Sequence, residues 1–275
     1  MSPVWRALLA LGAAVLVAGC SSSAASDGAV PLDELHGSST STAGTEATAP
    51  DPTADRGSAD SGPAGTDPVV AAVADVLGGQ AAISRPVGDD GSRPEVRDDR
   101  VFILGDSIVE SAGPSYYDTI RQQLVPLGWR PTIDAQRGRT TPEGLRVLQQ
   151  RRRDVHDVAV VLLGHNDVVD PTAYRARIDA IVDELSDVPL VLLLTNYEFE
   201  PGRDRMNDQL RVVDALHDNV ELFDWNAVVK ATPGAIGPDG LHLTRTGARA
   251  LGATLAVALG LAPGGAAKAV APTTT

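Results

Sequence analysis

The chain has one cysteine, Cys20, so no disulfide can form within it. Beyond the first twenty residues no apolar run is long enough to cross a bilayer. A basic face is also missing. The net charge is −13, and that argues against a nucleic-acid partner, which calls for clustered Lys and Arg. Lysine is confined to Lys230 and Lys268, which says nothing about function. No group of His, Asp and Glu has the spacing of metal ligands, so neither a metal nor a cofactor is expected. No internal repeat is present.

The first twenty residues read as an export signal. Arg6 gives a weakly positive start, and Ala7 to Ala18 is uncharged and apolar. The run ends in Val17-Ala18-Gly19-Cys20, which resembles the bacterial lipoprotein box. That resemblance implies a signal peptide over 1–20, lipidation of Cys20 and a membrane-anchored lipoprotein on the extracytoplasmic face of the cell envelope. The plainer alternative is an ordinary cleaved signal with an incidental cysteine.

Residues 21–98 are rich in Ser, Ala, Gly, Thr, Pro and Asp and contain no aromatic residue. Thirteen Asp and Glu face four Arg there, so most of the net charge lies in this segment. Too little apolar surface is available to offset the entropy of ordering it. The segment is expected to be a disordered tether, with a typical end-to-end distance of ~50 Å. Val69 to Leu77 has the composition for two helical turns, stopped by Gly78-Gly79. Whether that piece packs on the domain is open from sequence. Residues 263–275 are a small-residue tail.

One domain is expected over 99–262, large enough for a substantial core and taken as monomeric. Val101–Leu104, Val158–Leu163, Leu190–Leu194 and Val220–Phe223 are short continuous apolar runs, and Arg130–Ile133 is a weaker fifth. Such runs fit strands buried on both faces of a parallel sheet. Helical periodicity separates them at Tyr117–Leu127, Pro142–Arg151 with Thr141 as N-cap, Tyr174–Leu185 and Arg203–Leu216, and a last helix follows at Thr244–Leu259. The pattern predicts a three-layer α/β/α sandwich around a mostly parallel five-stranded sheet. Ligands of such sheets bind beyond the carboxyl ends of the strands.

Four short pieces fall at or near such ends. Ser107, in Gly105-Asp106-Ser107, follows the first strand and opens a helix, where unpaired backbone N–H groups surround it. A serine becomes a nucleophile when a base is in reach. His242 is the candidate base, and Asp239, three residues earlier in a turn, can fix its tautomer. Asn166, in Gly164-His165-Asn166-Asp167, can aim an amide N–H₂ at a developing oxyanion, and Gly138 can add its backbone N–H. Each alone has a plainer reading: a helix cap, a turn, a loop glycine.

In this order and spacing the four pieces resemble the four sequence blocks of the SGNH (GDSL-type) hydrolase family, over Arg100 to about Gly260. The resemblance implies Ser107 as nucleophile and Asp239 and His242 as its triad partners. It also implies the Ser107 N–H, the Gly138 N–H and the Asn166 side chain as oxyanion donors. Asp134-Ala-Gln-Arg-Gly138, Asn207, Asp224-Trp225 and Asp239-Gly-Leu-His-Leu-Thr244 are similar to one branch. These are the extracellular SGNH domains attached to membrane acyltransferases that O-acetylate peptidoglycan or other surface glycans. Two departures stand out: His165 occupies a position where a small residue is expected, and a multi-helix membrane portion is missing from these 275 residues.

The resemblance implies a serine esterase or O-acetyltransferase working through an acyl-Ser107 intermediate on an acyl ester or glycan, with a membrane acyltransferase as a further partner. The competing reading is a surface lipoprotein that binds glycan without catalysis. His165 is read either as a substrate contact or as packing beside its loop. His156 and His217 are read as surface residues. Arg137, Arg139, Asn196, Tyr197 and Trp225 are candidates to line a glycan site, each with a structural alternative.

Overall fold

The computed structural model describes residues 68–78 and 95–265. The expected signal peptide, Cys20, most of the expected tether and the tail beyond residue 265 lie outside the described residues.

Five strands form one sheet: β1 (Arg100–Gly105), β2 (Arg130–Ala135), β3 (Val158–Leu162), β4 (Leu190–Leu194) and β5 (Val220–Phe223). Their order is β2-β1-β3-β4-β5 and every pairing is parallel. Parallel neighbours need crossover connections, and helices supply them. Alternation along each strand divides the core in two. Ile103, Val160, Leu162, Leu192 and Leu194 face one layer, with side chains from α2 (Ser107–Ala112), α3 (Thr119–Leu124), α7 (Trp225–Ala231) and α8 (Arg245–Leu259). Phe102, Leu104, Val161, Val191 and Leu193 face the other, with α4 (Thr141–Arg151), α5 (Pro171–Glu184) and α6 (Arg203–Leu216). Burial on both faces is why these strands read as unbroken apolar runs. The fold is the expected three-layer sandwich. In this strand order the connections diverge between β1 and β3, which opens a crevice at their carboxyl ends.

Several boundaries differ from expectation. The N-cap of α4 is Thr140, not Thr141. Thr140 and Glu143 form a reciprocal capping box, with the Thr140 N–H and hydroxyl both donating to the Glu143 carboxylate at 2.8 Å. The helix expected from Tyr117 starts at Thr119 after Asp118, and its end, Val125–Leu127, tightens to 3-10 around Pro126. α5 begins at Pro171, capped by Asp170, rather than at Tyr174. α7, capped by Asp224, has no counterpart among the expected helices.

The helix expected over Val69 to Leu77 is present as α1 (Pro68–Val76), and it packs on the domain although it lies inside the expected tether. Val73 and Leu77 are buried in the same layer as α8, with Val69 and Val70 packed beside them. Those positions share one helical face, and α8 offers a small-residue surface, Ala250, Ala253 and Ala258, to the same core. Burying a Val and a Leu stabilises by ~2 kcal/mol each. The two helical turns were legible in Val69 to Leu77; their packing against α8, open from sequence, is what the structure adds.

Candidate active site

Three adjacent strands, β2, β1 and β3, deliver three of the expected residues from their carboxyl ends. β1 ends at Gly105, Asp106 caps the next helix, and Ser107 is its first residue. Asp106 Oδ1 accepts the Ile108 N–H at 3.0 Å, a cap of ~1 kcal/mol. As the first residue of a helix, Ser107 has no acceptor for its N–H within that helix. The serine is 4% exposed, so only a small window opens on the site.

β2 leads into Gln136-Arg137-Gly138-Arg139. Gly138 has φ of +75°, and a side chain there would meet open space, so conformation rather than crowding calls for glycine. The flanking arginines take opposite roles. Arg139 is buried, with Nη1 donating to the Gly105 and Asp134 carbonyls at 3.1 and 2.7 Å and Nη2 to the Asp134 carboxylate at 2.7 Å. It braces the peptide just before Asp106 and Ser107, the structural alternative for this residue. Arg137 is exposed.

β3 leads into Gly164-His165-Asn166-Asp167. Gly164 has φ of +134°, and a Cβ there would lie 2.7 Å from the Asn196 amide and 2.9 Å from the Tyr174 hydroxyl. Tyr174 donates to the Leu163 carbonyl at 2.8 Å and accepts from Asn196 Nδ2 at 2.9 Å, and burial pushes its own ionisation well up. Asn166 is partly exposed, and its Nδ2 donates to the Arg139 carbonyl at 3.1 Å. The side chain expected to face an oxyanion is thereby tied to the loop that carries Gly138. Asp167 holds the other flank, accepting from the Thr141 N–H and hydroxyl at 2.9 and 2.7 Å and from Arg177 at 2.8 Å.

Asp239 and His242 lie in the turn before α8, a helix that packs against α2. Asp239 Oδ1 accepts the N–H groups of Leu241 and His242 at 3.1 and 3.0 Å. Its Oδ2 lies 2.7 Å from His242 Nδ1. Burial pushes the Asp239 carboxyl up, but the Leu241 N–H, the His242 ring and the His242 N–H outweigh it, and its pKa ends below the ordinary value. A carboxylate so placed puts the ring proton on Nδ1 and frees Nε2 to act as a base. Among the described residues Ser107 Oγ and His242 share no hydrogen bond, a contact that is often long without substrate.

His165, open from sequence, is buried. Its Nδ1 lies 3.0 Å from Asp106 Oδ2, and its Nε2 accepts the Tyr197 N–H at 3.1 Å. Asn196 and Trp225, candidate glycan contacts, are fully buried, while Tyr197 is half-buried.

Arg203 had no functional reading from sequence, where an arginine opening a helix looks like a surface charge. It is buried, donating to the carbonyls of Gly164, His165 (3.1 Å) and Asp167 (2.9 Å) and pairing with Glu200 at 2.6 Å. Its guanidinium lies 4.9 Å over the Phe199 ring. Three carbonyls of the Asn166 loop thus converge on one side chain.

Residues 103–250 match the family described as GDSL-like Lipase/Acylhydrolase. Over 130 residues the chain is 25% identical to the candidate peptidoglycan O-acetyltransferase YrhL of Bacillus subtilis (strain 168), a match that takes in 46% of this chain and 20% of that protein. The chain therefore aligns with about a fifth of that relative's length. A lipase/acylhydrolase from Enterococcus faecalis is 23% identical, covering 57% of this chain and 92% of its own, with a TM-score of 0.48. The C-terminal catalytic domain of peptidoglycan O-acetyltransferase A from Streptococcus pneumoniae, solved with a methylsulfonyl adduct, is 22% identical, covering 59% and 93%, with a TM-score of 0.49. With more than half of its 275 residues matched, the chain belongs to the GDSL-like Lipase/Acylhydrolase family.

Proposed function

We propose that the domain cleaves or transfers an acyl ester, acetyl first, through an acyl-Ser107 intermediate, and that its substrate is an O-acetylated cell-wall or surface glycan. The observation that carries the reading is the 2.7 Å contact between Asp239 Oδ2 and His242 Nδ1, in a family member that keeps Ser107 at the mouth of β1.

In this mechanism the Ser107 Oγ proton passes to His242 Nε2 as Oγ attacks the acyl carbonyl. Asp239 stabilises the imidazolium that forms. The tetrahedral oxyanion is met by the N–H groups of Ser107 and Gly138 and by Asn166 Nδ2, each donor contributing about 3 kcal/mol in such sites. His242 then returns the proton to the departing alkoxide, leaving acyl-Ser107. Water, or a sugar hydroxyl, gives its proton to His242 as it attacks the acyl carbon, and His242 returns that proton to Ser107 Oγ as the acyl–Oγ bond breaks, restoring the free serine. With water the protein is an esterase; with a sugar hydroxyl it is an O-acetyltransferase.

Two observations favour a glycan. One is the partial match to YrhL, named for peptidoglycan O-acetylation. The other is the lipoprotein-like sequence ending in Cys20, which would hold an exported domain on a tether within the envelope. A membrane acyltransferase as acyl donor belongs to the same proposal.

The test is incubation of the purified chain with p-nitrophenyl acetate, with and without a glycan oligomer, beside Ser107→Ala, with products followed by mass spectrometry. Ser107-dependent acetylation of the oligomer identifies a transferase, and free acetate alone an esterase. No turnover and no acyl-Ser107 would overturn the enzymatic reading in favour of a glycan-binding lipoprotein.

A further inference from the structure

Beside Gly138 lies a cleft of about 180 Å³, lined by Arg137, Gly138, Arg139, Glu143 and Arg146 among others. It is cationic in a chain whose net charge is −13. Its charges are not equally committed. Arg139 is spent on the Gly105 and Asp134 carbonyls and the Asp134 carboxylate. Glu143 is spent on the Thr140 N–H and hydroxyl, which with nearby Arg146 hold its carboxyl below the ordinary value. Arg137 is different. Its Nη2 donates to the uncharged Tyr116 hydroxyl at 3.2 Å, linking the loop after α2 to the loop after β2. That bond uses one of five guanidinium donors and neutralises no charge.

We infer that this cleft is a carboxylate-binding subsite in which Arg137, assisted by Arg146, holds the acidic group of a uronic acid or carboxylate-bearing sugar next to the ester being processed. The inference rests on the acyl-ester reading above and narrows its substrate class. Three features select the ligand. A guanidinium presents a planar fork that pairs with a carboxylate through two parallel bonds. The retained Glu143 charge leaves the cleft with a small positive excess, suited to a monoanion rather than a dianionic phosphate. And 180 Å³ leaves room for a carboxylate together with part of the sugar that carries it. Because Gly138 is shared with the proposed oxyanion donors, a group bound here would fix which hydroxyl of the sugar meets Ser107.

The experiment compares the purified chain on O-acetylated methyl glucuronide and O-acetylated methyl glucoside, which differ by a carboxylate in place of a hydroxymethyl group. The expected kcat/KM ratio favours the glucuronide on the order of tenfold, and the preference shrinks as salt is raised because both arginines are exposed. Arg137→Gln with Arg146→Gln brings the ratio toward one, and Arg137→Lys recovers part of it. Ser107-dependent turnover of both substrates at equal rates would overturn the subsite and leave the acyl-ester reading standing. Titration of the Ser107→Ala protein with methyl glucuronide, followed by NMR, separates the two if no turnover is seen. Binding that the double arginine variant abolishes supports the subsite on its own, and binding indifferent to both arginines, or none, overturns it.

Discussion

His165 Nδ1 lies 3.0 Å from Asp106 Oδ2, and both side chains are fully buried. The Tyr197 N–H donates to His165 Nε2, so the ring proton sits on Nδ1 and is given to Asp106. Asp106 in turn caps the helix that Ser107 opens. One imidazole thereby connects the loops after β1, β3 and β4 beneath the proposed nucleophile.

Replacing that imidazole tests the connection. His165→Ala strips the imidazole from Asp106 Oδ2 and from the Tyr197 N–H, at about 1–3 kcal/mol for each group left unpaired, while Asp106 Oδ1 keeps the Ile108 N–H. The expected outcome is a lower urea midpoint together with a fall in kcat on a small ester. His165→Asn, which can still donate to Asp106, should recover part of both. A variant with native midpoint and native kcat would show that the pair positions nothing.

Arg203 makes a parallel case on the other side of the Asn166 loop. Arg203→Met keeps the stem but strips the donors from three carbonyls. A loss of at least ~2 kcal/mol is expected, given the penalty for unpaired buried groups. The kcat should drop more than the affinity for substrate changes, since Asn166 is proposed to act on the oxyanion. A pure KM effect would point instead to a role in binding.

The sign of the Asp239 shift sets a pH expectation. Its folded-state pKa lies below the ordinary value of 3.8, so the interaction with His242 and the two N–H groups stabilises the fold fully above that value. The contribution is lost as pH falls through the lower folded value. Asp239→Asn should remove this acid-side dependence from urea titrations. It should also cost ~10²–10⁴ in kcat near neutral pH, by presenting the wrong group to His242 Nδ1. Activity that survives the substitution would remove Asp239 from the proposed triad.

Packing of α1 separates two truncations. Removing residues through 67 should change neither Tm nor kcat. Removing residues through 94 takes Val73 and Leu77 out of the core and uncovers apolar surface shared with α8. A Tm lower by roughly 4–12 °C is expected, for a loss of about 2–3 kcal/mol net of the entropy of ordering the helix. Catalysis on a small ester should persist, as α1 packs chiefly against α8 and α7. Equal melting of the two truncated forms would show that the helix adds nothing.

What the sequence determined by itself is local or strongly periodic. Val158–Leu163 and Leu190–Leu194 announced buried parallel strands because burial on both faces leaves no polar alternation. The Asp239–His242 pair was legible because three residues of a turn suffice to bring the two side chains together. The order of the four motifs carried the family. Tertiary structure decided which polar groups are buried. Arg137 and Arg139 stand two residues apart and look alike, yet one is exposed and the other sits on carbonyls of Gly105 and Asp134. The carbonyl partners of Arg203 are 36 to 39 residues away, and the partners of His165 are 59 and 32 away. A guanidinium or imidazole can be buried only where distant loops converge to satisfy its donors and acceptors, and that convergence is a property of the assembled sheet ends, not of the residues beside it in the chain.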